Sequence, residues 1–226
     1  MKKAILWDVG GTIFLHTTQS HELIAQGLIQ IGIDPRSISQ EKMKLALGEF
    51  VKNQHKWHTI QEEKDGYGKL VSILTEESAV TQKQREQLTE HIFNYYDCYT
   101  IVADIKALLE ELREKGFTVG IISNWMPSLH FLLKHHNMDH YFDLVLCSGE
   151  VGIVKPNAGI FLEALNRLEI TADEAIYIGN DLEDDIYSVK PLGITAIHFE
   201  PERGIDAELS DVDSLRTELF RLLSKD

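Results

Sequence analysis

The sequence contains little that would build a disulfide-stabilised scaffold or bind a polyanion. Only two of its 226 residues are cysteines, Cys98 and Cys147, which excludes a disulfide framework and a CxxC zinc site. Lys and Arg number 22 against 36 Asp and Glu, and this formal net charge of -14 argues against nucleic acid and anionic membranes as partners. The apolar run at residues 4–7 stops too early for a signal peptide, and no run reaches transmembrane length. We expect a soluble cytoplasmic protein, and no feature points to a particular oligomeric state.

Hydrophobic residues make up 43% of the chain, enough for a sizeable core. Five short runs that are apolar throughout predict strands covered on both faces, as in a parallel sheet: residues 4–7, 118–123, 144–148, 175–179 and 194–199. Helical spacing of apolar residues follows at residues 104–115, 128–138, 156–168 and 215–224. Strands that alternate with helices predict an α/β fold built on a doubly wound parallel sheet.

Residues 16–100 interrupt this alternation. They carry four amphipathic helical patterns, at residues 20–31, 40–55, 67–75 and 82–96, and no convincing strand. We expect this stretch to be a helical cap domain over the C-terminal edge of the sheet. The α/β core domain would then comprise residues 1–15 and 101–226.

Polar motifs follow the predicted strands, where ligands bind in an open α/β sheet. Asp8 ends the first run and precedes Gly10, Gly11 and Thr12, so it is a candidate nucleophile or metal ligand. Such an Asp equally often hydrogen-bonds its own turn. After the second run, Ser123 and Asn124 offer a hydroxyl and an amide to a phosphoryl or carboxylate oxygen, although turn formation or helix capping is the commoner role.

Two charged segments complete the set of candidates. Lys155 precedes Pro156, which predicts a helix start and an anion-binding position for Lys155, unless it is an ordinary solvated lysine. Residues 179–185 carry four acidic side chains within five positions after a buried run. These carboxylates suit Mg²⁺, which takes one or two of them and keeps several waters, or else they form an acidic helix N-terminus.

The order of the motifs, D-x-x-G-T, apolar-S-N, K-P and apolar-G-N-D-x-x-x-D, resembles that of the haloacid dehalogenase-like (HAD) hydrolase superfamily. The helical stretch also resembles the cap of type-I members. The resemblance implies a Rossmann-like core and a Mg²⁺-dependent phosphatase that cleaves a small phosphorylated metabolite through an aspartyl-phosphate. The implied catalytic residues are Asp8, Ser123 and Lys155; the substrate-binding residues are Gly11, Thr12, Ser123, Asn124 and Lys155; and the metal ligands are Asp8, the Gly10 carbonyl, Asn180 and Asp185.

The chain departs from the family pattern at two positions. Gly10 stands where phosphatases of this family usually carry an Asp that protonates the leaving group, so alkyl phosphates should turn over slowly and aryl or acyl phosphates better. Asn180 replaces the first Asp of the fourth motif, and Asp181, Asp184 or Asp185 is expected to compensate. His16 is a candidate substitute acid. The other cap histidines, His55 and His58, are more simply explained as ordinary helix residues.

Two alternative functions remain compatible with these residues. A haloacid dehalogenase also uses a nucleophilic Asp and needs no leaving-group acid, but it has no need of an acidic metal segment. A catalytically degenerate HAD domain that binds a ligand or a protein partner would explain Gly10 and Asn180, but not the retained Asp8, Ser123 and Lys155. The residues that select the substrate are expected in the cap.

Overall fold

The computed structural model describes residues 3–201 and 209–224. The strands within these residues are β1 (Ala4–Trp7), β2 (Phe14–His16), β3 (Tyr99–Ile101), β4 (Thr118–Ser123), β5 (Leu144–Cys147), β6 (Ala175–Gly179) and β7 (Thr195–His198). The α-helices are α1 (Ser20–Gln30), α2 (Gln40–Asn53), α3 (Ile60–Leu74), α4 (Gln82–Phe93), α5 (Ile105–Glu114), α6 (Leu129–His135), α7 (Ser148–Val151), α8 (Ala158–Arg167) and α9 (Val212–Leu223). No helix in this described part is both long and apolar enough to cross a membrane.

The main sheet has five parallel strands in the order β5-β4-β1-β6-β7. Its strands are the five predicted apolar runs, and the α/β prediction is confirmed. The central strand β1 pairs with both β4 and β6, and its last residue Trp7 lies opposite Ile121 and Ile178. The chain order therefore reverses at β1, and the residue that follows Trp7 emerges in the crevice where ligands bind in such sheets.

Helices cover both faces of this sheet. One face packs on α5, α6 and α9, with residues such as Leu109, Leu132 and Leu219 fully or almost fully buried. The opposite face packs mainly on α8, through Ile160 and Phe161. Burial on both faces explains why the strand sequences are apolar throughout rather than alternating.

Helices α1 to α4, which we call the helical block, occupy the stretch predicted to be all-helical. Its two connections to the sheet, β2 and β3, pair antiparallel with each other and not with the main sheet. One apolar cluster runs from Trp7 of the sheet to Leu28 and Leu74 of the helical block. The helical block therefore packs directly on the sheet, and its division from the core as a separate domain at residues 16 and 101 stays a prediction.

Three predicted helix starts are wrong. Helix α9 begins at Val212 rather than at residue 215, because the Asp211 side chain accepts a hydrogen bond from the Ser214 N–H and caps the helix. Helix α3 begins at Ile60, seven residues before the predicted start, because Thr59 and Glu62 cap its N-terminus reciprocally. Gly66 of this helix leaves room for the Trp57 ring, since a Cβ at this position would collide with it. Helix α8 begins at Ala158 rather than at Pro156, because the Asn157 side chain accepts a hydrogen bond from the Gly159 N–H and caps the helix.

Glu63 of α3 fastens the helical block to the loop after β4. Its fully buried carboxylate accepts hydrogen bonds from the Ser128 N–H (2.9 Å) and the Ser128 hydroxyl (2.5 Å). The Ser128 Oγ also lies 2.7 Å from the Tyr95 hydroxyl, which accepts a 2.8 Å hydrogen bond from Trp125 Nε1. Burial raises the pKa of Glu63 to about 7, and the hydrogen bonds from Ser128 offset only part of that effect.

Glu63→Gln is expected to gain stability over the wild type as the pH rises. The pKa of Glu63 lies higher in the folded chain than in the unfolded chain, so the wild-type free energy of unfolding falls between about pH 5 and pH 8. An amide does not ionise, and it still accepts from Ser128. The free energy of unfolding of Glu63→Gln, relative to that of the wild type, should increase by about 2 kcal/mol across that range, as measured by urea unfolding. A difference that does not change with pH would contradict the assignment.

Candidate active site

Four of the predicted site residues meet in direct contact. Lys155 Nζ lies 2.7 Å from Asp8 Oδ1 and 2.6 Å from Asp185 Oδ1. The Ser123 hydroxyl donates to Asp8 Oδ1 at 3.0 Å. All four side chains are buried, with Lys155 only 4% exposed. The structure therefore places an ion pair and a hydroxyl donor at the carboxyl edge of the sheet, while the catalytic roles of these residues stay predictions.

The strands bring these residues together. Asp8 follows β1, and its N–H donates to the Ile178 carbonyl of β6 at 2.8 Å. Ser123 ends β4 on the other side. Lys155 reaches the same edge from the segment before α8, and the Asn124 amide holds its backbone N–H and carbonyl at 2.8 and 3.1 Å. Lys155 lies three positions before Ala158, the first residue of α8, and Asp8 and Asp185 hold its ammonium group.

Lys155 keeps its charge although it is buried. Burial alone would lower the pKa of Lys155, but Asp8 and Asp185 outweigh it and hold that pKa above its ordinary value. The pKa of Asp185 is raised by burial and by the nearby Asp8, with Lys155 opposing both. The site is thus a buried cation between two carboxylates, and its net charge is negative.

Tyr177 belongs to the site and escaped the sequence analysis. Its hydroxyl accepts a hydrogen bond from Lys155 Nζ at 3.0 Å and lies 2.9 Å from the Ile122 carbonyl and 3.0 Å from Asp185 Oδ1. Burial and the charge of Asp185 raise its pKa well above the ordinary value, so it stays a neutral donor. The available signal was a tyrosine inside an apolar strand, since a buried phenol needs a partner.

The acidic segment separates into residues with different surroundings. Asp181 Oδ1 accepts from the N–H groups of Glu183 and Asp184, both at 2.8 Å, and caps a π-helical turn, Leu182–Tyr187. Asp184 Oδ2 accepts from the Asn124 amide at 3.1 Å, and burial together with the charge of Asp181 raises the pKa of Asp184. Asp185 Oδ2 accepts from the Asp181 N–H at 3.0 Å, so both of its oxygens are engaged.

A cavity of about 230 Å³, which we call the acidic cavity, lies at this edge of the sheet. Its lining contains most of the predicted site together with Trp125, and it consists of Asp8, Gly10, Ser123, Asn124, Trp125, Lys155, Asn180, Asp181, Asp184 and Asp185. Gly11 and Thr12 are absent from that lining. Thr12 is fully buried and donates to Asn180 Oδ1 at 3.2 Å, and Gly11 (φ 78°) leaves room for the Asn180 amide. Thr12 thus holds the Asn180 side chain by a hydrogen bond, and Gly11 allows that side chain to pack against the backbone.

The acidic cavity has donors that suit Mg²⁺. No cluster of three or more His, Cys, Asp or Glu side chains that could hold a metal occurs within residues 3–201 and 209–224. Mg²⁺ needs no such cluster, because one or two carboxylates, carbonyl oxygens and waters suffice. Asp8 and Asp184 supply carboxylates, and Asn180 and the Gly10 backbone supply carbonyl oxygens. Burial and then the charge of Asp181 raise the pKa of Asp184, and a bound cation would oppose both effects.

The histidines considered from the sequence do not line the acidic cavity. The exposed His16 stacks on Tyr99, with ring centroids 4.2 Å apart. His55 Nδ1 lies 3.2 Å from the Ser148 hydroxyl, and His58 Nδ1 lies 2.6 Å from the Gly149 carbonyl. His55 and His58 thus connect the helical block to α7. Trp125, which the sequence did not single out, lies beside Gly10: a Cβ on Gly10 would sit 3.2 Å from its Cζ3.

The chain resembles known hydrolases in sequence and in fold. The glyceraldehyde 3-phosphate phosphatase of Methanopyrus kandleri is 27% identical over 100% of both chains. The ribulose-1,5-bisphosphate 5-phosphatase of Halopiger xanaduensis is 36% identical over 114 residues, which span 50% of this chain and about half (48%) of that relative. The 2-haloacid dehalogenase of Pseudomonas syringae shares the fold, with a TM-score of 0.72 at 22% identity, covering 98% of this chain and 100% of that one. A family model for haloacid dehalogenase-like hydrolases matches residues 2–193, so the chain belongs to the haloacid dehalogenase-like hydrolase family, as the order of its motifs implied.

Proposed function

We propose that this hydrolase is a Mg²⁺-dependent phosphatase that cleaves small phosphate monoesters through a covalent aspartyl-phosphate on Asp8. The state of the Asp8 carboxylate carries the proposal. Its Oδ1 is held by Lys155 and Ser123, whereas the hydrogen bond to Oδ2 within the described residues is a long one, 3.5 Å from Thr12. A carboxylate oriented through one oxygen and open at the other is prepared for nucleophilic attack.

The surrounding residues fit each step of this reaction. Asp8 Oδ2 attacks phosphorus as the bond to the leaving oxygen breaks, and water then hydrolyses the acyl phosphate. Lys155 and the Ser123 hydroxyl orient the nucleophile and stabilise negative charge on the transferring group. Asn124 fixes the backbone of Lys155 and thereby the position of this cation. Electrostatic stabilisation of this kind is the main demand of phosphoryl transfer.

Bound Mg²⁺ would supply Lewis-acid stabilisation of the phosphoryl charge. The proposed ligands are Asp8, the Gly10 carbonyl, Asn180 and Asp185, with Asp184 as the alternative to Asp185. Asp184 has one engaged oxygen, whereas both oxygens of Asp185 hold Lys155, Tyr177 or the Asp181 N–H. A second role for Asp185 is therefore to position Lys155.

The relatives support a small phosphorylated substrate. The two phosphatases above are named for the phosphate esters of a three-carbon and a five-carbon sugar. Cys98 and Cys147 are free and buried, which suits the reducing cytoplasm that we propose as the location.

A turnover assay with 4-nitrophenyl phosphate and Mg²⁺ tests the activity. Halide release from a 2-halo acid without phosphate release would instead make the protein a dehalogenase, and absence of both activities would favour the degenerate binding domain.

Gly10→Asp is expected to raise kcat/KM for alkyl phosphates more than kcat/KM for aryl phosphates. The new carboxyl group can protonate an alkoxide leaving group, and general acid catalysis is typically worth about 10²–10⁴-fold. The gain should fall near the lower end of that range, because the new Cβ lies 3.2 Å from Trp125 Cζ3. Gly10→Ala is the matched control, since it makes the same contact without the acid. The measured quantity is the ratio of kcat/KM for glycerol phosphate to that for phenyl phosphate, and equal ratios in the two variants would refute this role for position 10.

A further inference from the structure

A second cavity, of about 260 Å³, lies between the helical block and the sheet. We call it the aromatic cavity because five aromatic side chains line it: Phe50, Tyr67, Tyr95, Tyr99 and Trp125. Asn124 and Trp125 line this cavity and also the acidic cavity, so the two cavities adjoin at these residues. A group attached to a phosphate at Asp8 therefore has the aromatic cavity beside it.

Within the described residues, the aromatic cavity has no permanently charged side chain that would neutralise a charged group. None of the described residues in its lining is Lys, Arg, Asp or Glu. Its polar groups come chiefly from His16, Thr18, Ser20 and Gln54 near the helical block, while Leu23, Ile24, Leu70 and Ile92 add aliphatic surface. A carboxylate or second phosphate placed here would lose its hydration without gaining a cation. An uncharged ring would gain about 25 cal/mol for each Å² of apolar surface buried.

Trp125 lies where the two cavities adjoin, and its neighbours fix its orientation. Its Nε1 donates to the Tyr95 hydroxyl at 2.8 Å, and its ring lies against Tyr99 with centroids 5.3 Å apart. On the other side its Cζ3 faces Gly10, where no side chain stands between the indole and the acidic cavity. A leaving group next to Gly10 therefore contacts the indole rather than a proton donor at position 10.

We propose that the preferred substrates are monophosphate esters of uncharged aromatic alcohols, with the aryl group bound in the aromatic cavity. This inference rests on the proposed phosphatase function and narrows its substrate class. A cavity of about 150 Å³ already holds benzene, so the aromatic cavity has space for a substituted ring. The same substrates need no acid at position 10. The P–O(aryl) bond breaks with its electron pair leaving on the aryl oxide, and the proton from the water that later cleaves the acyl phosphate neutralises it.

The test compares two esters of similar leaving-group acidity, 4-ethylphenyl phosphate and 4-(carboxymethyl)phenyl phosphate. The wild type should show a kcat/KM at least about tenfold higher for 4-ethylphenyl phosphate, whose ring substituent is uncharged, because the carboxylate of the other ester is desolvated without a partner. Val51 lines the cavity and is 55% exposed, so Val51→Arg adds a cation there without disturbing the core. It should cut the preference by about tenfold.

Two controls isolate the charge in the aromatic cavity. Val51→Gln changes the size and polarity at the same position without adding charge, and Leu45→Arg adds the charge on an exposed residue of the same helix that is outside the cavity lining. Both should keep the wild-type preference. Equal kcat/KM for the two esters in the wild type, or a preference that Val51→Arg leaves intact, would overturn the inference.

A binding measurement separates this inference from the proposed function. Calorimetric titration with benzylphosphonate and with 4-carboxybenzylphosphonate, both in Mg²⁺, needs no turnover. Benzylphosphonate, whose ring is uncharged, should bind more tightly whether or not the chain hydrolyses esters. Tighter binding of benzylphosphonate without any turnover of esters would therefore refute the phosphatase proposal alone. Equal affinities, or tighter binding of the carboxylate, would refute the aromatic-cavity assignment.

Discussion

Asp8→Asn is expected to lower kcat/KM for phenyl phosphate by about 10⁴-fold or more, the scale on which loss of a nucleophile registers. A neutral amide cannot attack phosphorus, and it also ends the 2.7 Å ion pair with Lys155. The measurement is steady-state turnover of phenyl phosphate in Mg²⁺. Thermal unfolding of the same variant should show that it folds.

Asp184→Asn is the matched control for Asp8→Asn. It makes the same acid-to-amide change in the acidic cavity but leaves the Asp8–Lys155 contact untouched. We expect a smaller loss of turnover that higher Mg²⁺ concentrations partly restore, since Asp184 is proposed as an alternative metal ligand. Turnover in Asp8→Asn equal to that in Asp184→Asn would reject Asp8 as the nucleophile.

Lys155→Met should cost about 3–5 kcal/mol of unfolding free energy, because it leaves two buried carboxylates without their cation. The deficit should be larger near neutral pH than in mild acid. Burial and the nearby Asp8 already raise the pKa of Asp185 in the folded chain, and Lys155→Met removes the cation that opposes both effects. Folding therefore becomes less favourable as the pH increases through the range in which Asp185 ionises in the unfolded chain. Urea unfolding near neutral pH and in mild acid measures both the loss of unfolding free energy and its pH dependence.

Two further variants distinguish the stability cost of leaving buried carboxylates unpaired from the cost of losing any lysine. Lys3→Met breaks a surface pair with Glu174 (2.6 Å, with the Lys3 side chain 58% exposed) and should cost less than about 1 kcal/mol. Lys155→Met combined with Asp185→Asn removes one of the two orphaned charges and should recover part of the stability lost in Lys155→Met. Equal costs for Lys3→Met and Lys155→Met would contradict the buried ion-pair account.

The sheet could be predicted from the sequence because its strands are buried on both faces and therefore form continuous apolar runs. Asp8, Ser123 and the acidic segment follow those strands directly, so their convergence at one edge follows from parallel topology. Lys155 lies in a loop, and only the resemblance to the family implied that it neutralises charge on Asp8. Contacts between distant segments leave no periodic signal.

The same limit explains the residues that the sequence analysis missed. Tyr177 has the pattern of an ordinary strand residue, and its link to Lys155 exists only in three dimensions. Glu63 has the pattern of a surface residue on an amphipathic helix, yet Ser128, 65 positions away, makes it a buried anchor. Trp125 follows the Ser123-Asn124 motif directly, but its position against Gly10 depends on the turn between β1 and β2.

Acid quenching during turnover of phenyl phosphate, followed by peptide mass spectrometry, tests the covalent mechanism most directly. An acyl phosphate survives brief acid quenching and is reduced by borohydride, so a phosphorylated Asp8 is converted to homoserine at that position. The account predicts this conversion at Asp8 in the wild type, and none at position 8 in Asp8→Asn. Turnover without any modification of Asp8, or a phosphoryl group trapped on a different residue, would contradict it.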